Sequence, residues 1–298
     1  MKQINSILLA ATLLFSSCCF NKKFLRSYKF PTPDTEINLH DSETGEITVF
    51  TVHGENLQPV FIKQDNDTLQ FDFDIEGVVF ESSSGNKLNG WFLKPKDTKP
   101  EVTLLHLHGN GGYLLAHYSA MVPLVKEGFQ IFTFDYSGFG FSTGEATRDN
   151  VLKDGLSAVD YITSREDVKD TKLVLYGQSL GGHLAAVVAE QKSDKLDAVL
   201  IEGAFSSHKD VAADRAGLAG RILTKEKYSA VRSIRNYHKP LLVIHSTEDK
   251  VIPLEMGQKI YAYANKPKSF YQIEKCHICG PRFYSEEIGK KKKAMLAE

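Results

Sequence analysis

The chain has 298 residues, of which 42% are hydrophobic, and its 36 lysines and arginines against 37 aspartates and glutamates leave a formal net charge of −1 at pH 7. That length and apolar content allow one sizeable α/β domain and require no second one. The near-neutral balance gives no electrostatic ground for a nucleic acid partner, and the one basic run, residues 290–293, reads as a solvated helix end or tail.

In chain order, residues 1–17 come first, with Lys2 as a short positive region, an apolar core over residues 7–15, then Ser16-Ser17 before Cys18. The core is too short to span a bilayer and has the length of a secretory signal. Phe15-Ser16-Ser17-Cys18 resembles the lipobox of bacterial lipoproteins, although Phe15 stands where leucine is usual. The resemblance implies an exported protein, lipidated at Cys18 and anchored to a membrane facing the periplasm or cell exterior; ordinary signal cleavage is the alternative. Residues 18–75 then read as a tether, polar and basic to about residue 29, followed by N-terminal strands. Within that stretch residues 47–52 and 60–62 read as edge strands. Residues 77–81 and 87–93, around a turn at 82–86, read as an antiparallel hairpin.

Beyond Pro100 short apolar runs alternate with helical spacing. Strands are expected at residues 102–107, 130–134, 172–176, 198–201, 241–244 and 270–273, with helices at 113–127 and 150–163. Apolar strands separated by helices imply a parallel sheet covered on both faces. The connection over residues 205–239 is longer than such units need and is expected to form a small helical cap beyond the carboxyl ends of the strands.

Residues 172–182, KLVLYGQSLGG, join a buried strand to a helix through Gly177-Gln178-Ser179-Leu180-Gly181. Gly-x-Ser-x-Gly in that context is a nucleophile elbow, which lifts Ser179 out of a strained turn at a helix N-terminus. A serine hydroxyl needs a base, and the base an orienting carboxylate, in the chain order serine, acid, histidine. Five histidines follow Ser179: His183, His208, His238, His245 and His277. His277 is the candidate base, because it hangs in the loop after the last strand. Asp249, directly after a buried strand, is the candidate acid, with Glu248 and Glu202 as rivals. The oxyanion needs donors, and the N–H groups of Asn110, in the loop HGNGG, and of Leu180 are the candidates. No Gly-Lys-Ser/Thr follows that loop, so it does not read as a phosphate cradle. His106 and His108 lie two apart on a strand without a carboxylate cluster, so no metal site is expected.

HGNGG, FDYSGFGFSTG, YGQSLGG, HSTEDKVIP and His277 stand in the order of the α/β-hydrolase superfamily. They are most similar to its serine aminopeptidase-like and lysophospholipase-like branch. The resemblance covers roughly residues 76–284, within a domain placed at 76–298. It implies an α/β-hydrolase fold with a mostly parallel eight-stranded sheet flanked by helices, and a structural role for Asp135. It also implies the roles argued above: Ser179 nucleophile, Asp249 acid, His277 base, Asn110 and Leu180 oxyanion donors. One departure is that Lys275-Cys276 precede His277 where the family sets small residues, and Cys279 follows. In an oxidising compartment Cys276 and Cys279 are expected to be able to form a disulfide that pins the base loop; a redox pair is the weaker alternative. The function expected is a serine hydrolase acting on a small-molecule acyl substrate, an ester, without cofactor. A peptidase or acyltransferase on the same triad is the first alternative, and a non-catalytic binding lipoprotein the second.

Overall fold

The structure, a computed structural model, describes residues 24–30, 32–41 and 44–296. Residues 1–17 and Cys18, on which the signal and lipidation expectations fall, lie outside the described residues. Among the described residues there are eleven strands: β1 (Ile37–His40), β2 (Ile47–His53), β3 (Gln58–Ile62), β4 (Phe73–Glu81), β5 (Lys87–Pro95), β6 (Val102–Leu107), β7 (Gln130–Phe134), β8 (Lys172–Gln178), β9 (Ala198–Glu202), β10 (Leu241–Ser246) and β11 (Lys268–Ile273). The last eight form one sheet in the order β11-β10-β9-β8-β6-β7-β5-β4. The hairpin β4–β5 and the β5–β7 pair are antiparallel, and the remaining neighbours are parallel. This is the mostly parallel eight-stranded sheet that the resemblance to α/β-hydrolases implied.

The central strands read as continuous apolar runs because both their faces are covered. Successive side chains enter opposite cores. Leu105, Leu107, Leu173, Leu175 and Val243 face α2 (Arg148–Thr163) and α3 (Leu180–Gln191). Leu104, Val174, Tyr176, Leu242 and Ile244 face α1 (Leu114–Lys126) and a long C-terminal helix over residues 280–296. Each wholly buried leucine in these layers contributes roughly 2 kcal/mol. Helix α2 begins at Arg148, before the expected residue 150, because the Thr147 hydroxyl accepts the Asn150 N–H at 3.1 Å and caps it.

Between β9 and β10 stands the expected cap: α4 (His208–Leu223), then α5 (Ala230–Ser233). Gly217, at φ 60° and ψ −150°, breaks α4 into two pieces with a backbone that a β-carbon would strain. The cap is fastened at its base. Glu226 accepts the N–H groups of His208 and Lys209, and Asp210 is held by Arg221 and Lys259. Helices α6 (Leu254–Tyr263) and α7 (Gly280–Leu296) complete the covering layers. Within α7, Lys292 departs from the solvated reading of the basic run. It is buried, its ammonium lies 4.3 Å from the centroid of the Phe129 ring, and burial lowers its pKa.

Two further expectations change. Residues 47–52 and 60–62 form strands of a separate antiparallel sheet, β1-β2-β3, in which β3 is the expected edge strand but β2 is central. It packs on β4 and β5 through Phe50 and Phe61 against Trp91, and the Gln58 amide both donates to Ile75 O and accepts from the Gly77 N–H. Gly77 has to be a glycine there, since a β-carbon would fall 2.7 Å from the Gln58 backbone. Nor is the chain a free tether up to residue 29. Residues 24–30 lie on the domain, with Phe30 buried and the Tyr28–Phe30 backbone bonded to Gly140 at 2.8 Å on both sides.

Candidate active site

Ser179 sits between β8 and α3 at φ 55° and ψ −113°, a strained conformation for a residue with a side chain. The turn closes only around glycines. A β-carbon on Gly177 would fall 2.2 Å from Gly181 O, and one on Gly181 would fall 1.8 Å from Leu107 O. The Ser179 hydroxyl therefore projects from a turn locked against β6.

His277 hangs in the turn after β11, with Nε2 2.9 Å from Ser179 Oγ and Nδ1 2.5 Å from Asp249 Oδ2. An ionised carboxylate only accepts, so Nδ1 carries the proton and Nε2 is left to accept the serine hydroxyl. The Asp249 side chain is wholly buried in the turn after β10. Its Oδ1 accepts the N–H groups of Val251 and Ile252 at 2.8 and 2.9 Å, and His245 Nε2 lies 3.3 Å from Oδ2. Burial pushes this carboxyl up, but hydrogen bonds from His245, His277 and the Ile252 N–H outweigh burial and hold it well below the usual carboxylate range. Asp249 thus stays an anion against the imidazole.

The rival carboxylates do other things. Glu202, at the end of β9, accepts from the Tyr176 hydroxyl at 2.5 Å, Gln178 Nε2 at 2.7 Å and the Gly280 N–H at 2.6 Å. Burial raises its pKa against those bonds. It grips the turn that carries His277 without touching the imidazole. Glu248 accepts the Lys275 N–H at 3.1 Å. Among the other histidines, His183 stacks on Phe205 at 4.1 Å and bonds to its carbonyl, His208 pairs with Glu226, and His245 supports Asp249. Further back, His106 bridges Thr133 and Gln178, and His108 donates from Nδ1 to Gly109 O. Asp135 is buried and bonded to the Leu114 N–H and Asn89; burial raises it to about 6. These are packing and positioning contacts.

Cys276 and Cys279 are not joined; both thiols are free, Cys276 exposed and Cys279 buried. The expected bridge is replaced by hydrogen bonds within the turn. Cys279 Sγ donates to Cys276 O at 3.1 Å and accepts the Cys276 N–H at 3.0 Å. Burial first, then the neighbouring Cys276, pushes the Cys279 thiol up to about 12. It stays protonated.

Above Ser179 lies a cavity of about 670 Å³, in the size range of small-molecule sites. Asn110 and Leu180 form part of its wall beside Ser179, and Val211 and Ala212 reach it from the cap. The loop of Asn110 lies close, since a β-carbon on Gly109 would stand 3.5 Å from Ser179 Cβ. The sequence reading missed Phe24, Arg26 and Arg215 on the same wall. The sequence signal for Phe24 and Arg26 is an aromatic residue recurring at Phe24, Tyr28 and Phe30 in a stretch that otherwise looks polar; Arg215 has none. Among the described residues no group of three or more His, Cys, Asp or Glu side chains is arranged to hold a metal ion.

Comparison with known proteins agrees at the level of family and fold. Residues 102–220 match the family described as the alpha/beta hydrolase fold. YfhR of Salmonella typhi, described as uncharacterized, is 37% identical over 209 residues, which cover 65% of this chain and 70% of that protein. WAV2 of Arabidopsis thaliana, an alpha/beta hydrolase domain-containing protein, is 26% identical over 63% of this chain and 66% of its own. Among solved structures, the esterase Pf2001 of Pyrococcus furiosus superposes with a TM-score of 0.62 at 20% identity, over 75% of this chain and 93% of that one. Est1E of Butyrivibrio proteoclasticus with ferulic acid bound gives 0.63 at 19% identity, over 74% and 100%. At such identities the solved structures speak for the fold.

Proposed function

Because the chain belongs to the α/β-hydrolase family, we propose that it is a serine hydrolase cleaving carboxylic esters through an acyl-enzyme on Ser179. The observation that carries this reading is the unbroken hydrogen-bonded chain from Ser179 Oγ through His277 to Asp249, at 2.9 and 2.5 Å, opening on one cavity. Esterases are among the solved structures that share this fold, and an ester is the acyl substrate proposed here.

As Ser179 Oγ attacks the acyl carbonyl carbon, its proton passes to His277 Nε2. The carbonyl π pair moves to oxygen, and the N–H groups of Asn110 and Leu180 take up that charge. Asp249 holds the Nδ1–H and stabilises the imidazolium. When the tetrahedral centre collapses, the ester C–O bond breaks and the alcohol leaves with the proton from Nε2. Water then attacks the acyl-enzyme by the same route, giving the acid and restoring the Ser179 hydroxyl. The scheme uses no cofactor. Within the family we assign the chain, on its motifs, to the serine aminopeptidase-like and lysophospholipase-like branch.

A fluorophosphonate probe tests the reading. Wild type is expected to be labelled at Ser179, Ser179→Ala not at all, and His277→Ala far more slowly. A folded wild type that takes no label would overturn it. We further propose, from residues 1–17 and the Phe15–Cys18 motif alone, that the protein is exported and lipidated at Cys18. Metabolic labelling with an alkynyl fatty acid, lost in Cys18→Ala, is the expected result; equal labelling of both sinks the anchor.

A further inference from the structure

The wall of the Ser179 cavity carries an unusual balance of charge. In a chain whose net charge is −1, the charged side chains lining it are Arg26 and Arg215, and no aspartate or glutamate lines it. Among the described residues the Arg26 guanidinium has no carboxylate within ion-pair distance. Arg215 is held in place by a hydrogen bond from Nη2 to Val251 O at 2.8 Å and has only a loose partner in Asp214, 3.7 Å from Nε. The rest of the wall is largely apolar, with Phe24, Phe205, Val211 and Ile278 among its residues.

Arg26 is not there by accident of a loose end. The Asn110 side chain clips the N-terminal segment onto the domain from both sides: its Oδ1 accepts the Arg26 N–H at 2.8 Å and its Nδ2 donates to Phe24 O at 2.9 Å. The Phe24 ring then packs on Phe205 and His208, at 5.8 and 4.8 Å between centroids, under the Arg148 guanidinium. So the residue whose N–H is assigned to the oxyanion also fixes the segment that brings Arg26 to the cavity.

Resting on the serine hydrolase reading, we infer that the preferred substrate is an ester combining a hydrocarbon part with an anionic group, a carboxylate or phosphate, bound by Arg26 and Arg215. Guanidinium forks pair with such groups with both charge and geometry, and an apolar wall beside them strengthens the contact. A neutral ester of the same shape leaves Arg26 unpaired and Arg215 with only its loose partner Asp214, and gains nothing from either. Phe24 and Arg26 are specificity-determining residues supplied from outside the region that matches the family motifs.

The test measures kcat/KM for two matched pairs: mono-para-nitrophenyl glutarate against its methyl ester, and butyryl glycerol phosphate against butyryl glycerol. Wild type is expected to favour the anionic member of at least one pair by about tenfold or more. The pair that shows it identifies carboxylate or phosphate as the recognised group. In Arg26→Gln and Arg215→Gln the ratio is expected to fall toward one, while Arg26→Lys and Arg215→Lys keep most of it. Calorimetric binding of the same four esters to Ser179→Ala reads recognition without turnover. Preferential binding of the anionic ester there, with no cleavage by wild type, would sink the hydrolase reading and leave the anion wall standing. Cleavage of both members of each pair at equal rates, or a preference that survives the double Gln substitution, overturns the inference while the hydrolase reading stands.

Discussion

Two carboxylates end neighbouring strands near His277, and exchanging each for its amide separates their roles. In Asp249→Asn the amide oxygen is required by the Val251 and Ile252 N–H groups, which leaves the NH₂ facing His277 Nδ1. The imidazole must then carry its proton on Nε2, where it can no longer accept from Ser179 Oγ. Loss of that tautomer costs on the order of 10⁴ in kcat, about 5 kcal/mol of barrier. In Glu202→Gln the imidazole keeps its partner. One amide oxygen still accepts the Gly280 N–H, and the Tyr176 hydroxyl can turn to accept from the new NH₂. Gln178 cannot turn, because its Oε1 is engaged with His106 at 3.1 Å. One buried hydrogen bond is lost, about 1 to 3 kcal/mol of stability, and kcat falls by no more than about tenfold as the base turn slackens. Initial rates on a para-nitrophenyl ester, beside thermal melts of both variants, make the comparison. A Glu202→Gln protein that melts like wild type but loses as much kcat as Asp249→Asn would show that Glu202 orients the base, and would refute the assignment of Asp249.

Gly181→Ala puts a methyl group 1.8 Å from Leu107 O, so soluble yield and melting temperature are expected to collapse by the equivalent of about 4 kcal/mol or more; a stable, active variant contradicts the packing of the elbow. Glu226 tests the cap: burial raises its carboxyl, but bonds from His208 and the Lys209 N–H outweigh burial and pull it from 4.5 down to about 2. A depressed carboxylate stabilises fully above its unfolded value and loses that contribution as pH falls through its folded one. Glu226→Gln should therefore melt lower by the equivalent of about 2 kcal/mol at neutral pH and converge with wild type near pH 2, and a constant gap across that range refutes the cause assigned. Native alkylation with iodoacetamide should modify Cys276 and spare Cys279 until the protein unfolds, read by peptide mass; a Cys276–Cys279 disulfide peptide from the non-reduced protein would contradict the free thiols.

The elbow that carries Ser179 was legible because its constraints are local. A buried strand, two glycines two residues either side of a serine, and a helix specify an elbow within a dozen residues, and a parallel sheet follows from apolar runs that need cover on both faces. Asp249 and Glu202 are a harder case, since both are acids at a strand's carboxyl end. Only the side-chain path separates them: Glu202 points to Tyr176, Gln178 and Gly280, whereas Asp249 is turned by the backbone donors of its own loop. Strands β2 and β3 alternated clearly, but alternation says nothing about partners, and that they pair locally with each other and with β1, apart from the main sheet, was invisible. Cys276 and Cys279 have spacing that permits a bridge; a thiol bonded to the carbonyl three residues back satisfies the turn without one.

The N-terminal segment shows where composition misleads. Between Phe24 and Phe30 the basic residues suggested a solvated tether, yet two aromatic rings and one asparagine side chain fix it as a wall of the cavity. A polar average hides anchors that are few and large, because a single buried phenylalanine outweighs several solvated lysines that lose nothing by staying exposed. The consequence reaches beyond packing. Phe24 lies six positions after Cys18, and an extended chain covers at most about 3.5 Å per residue. On the proposed lipidation of Cys18, the cavity is therefore held within about 20 Å of the bilayer surface. A wall that joins apolar side chains to two arginines would then meet esters at the leaflet with both parts of its chemistry facing the substrate.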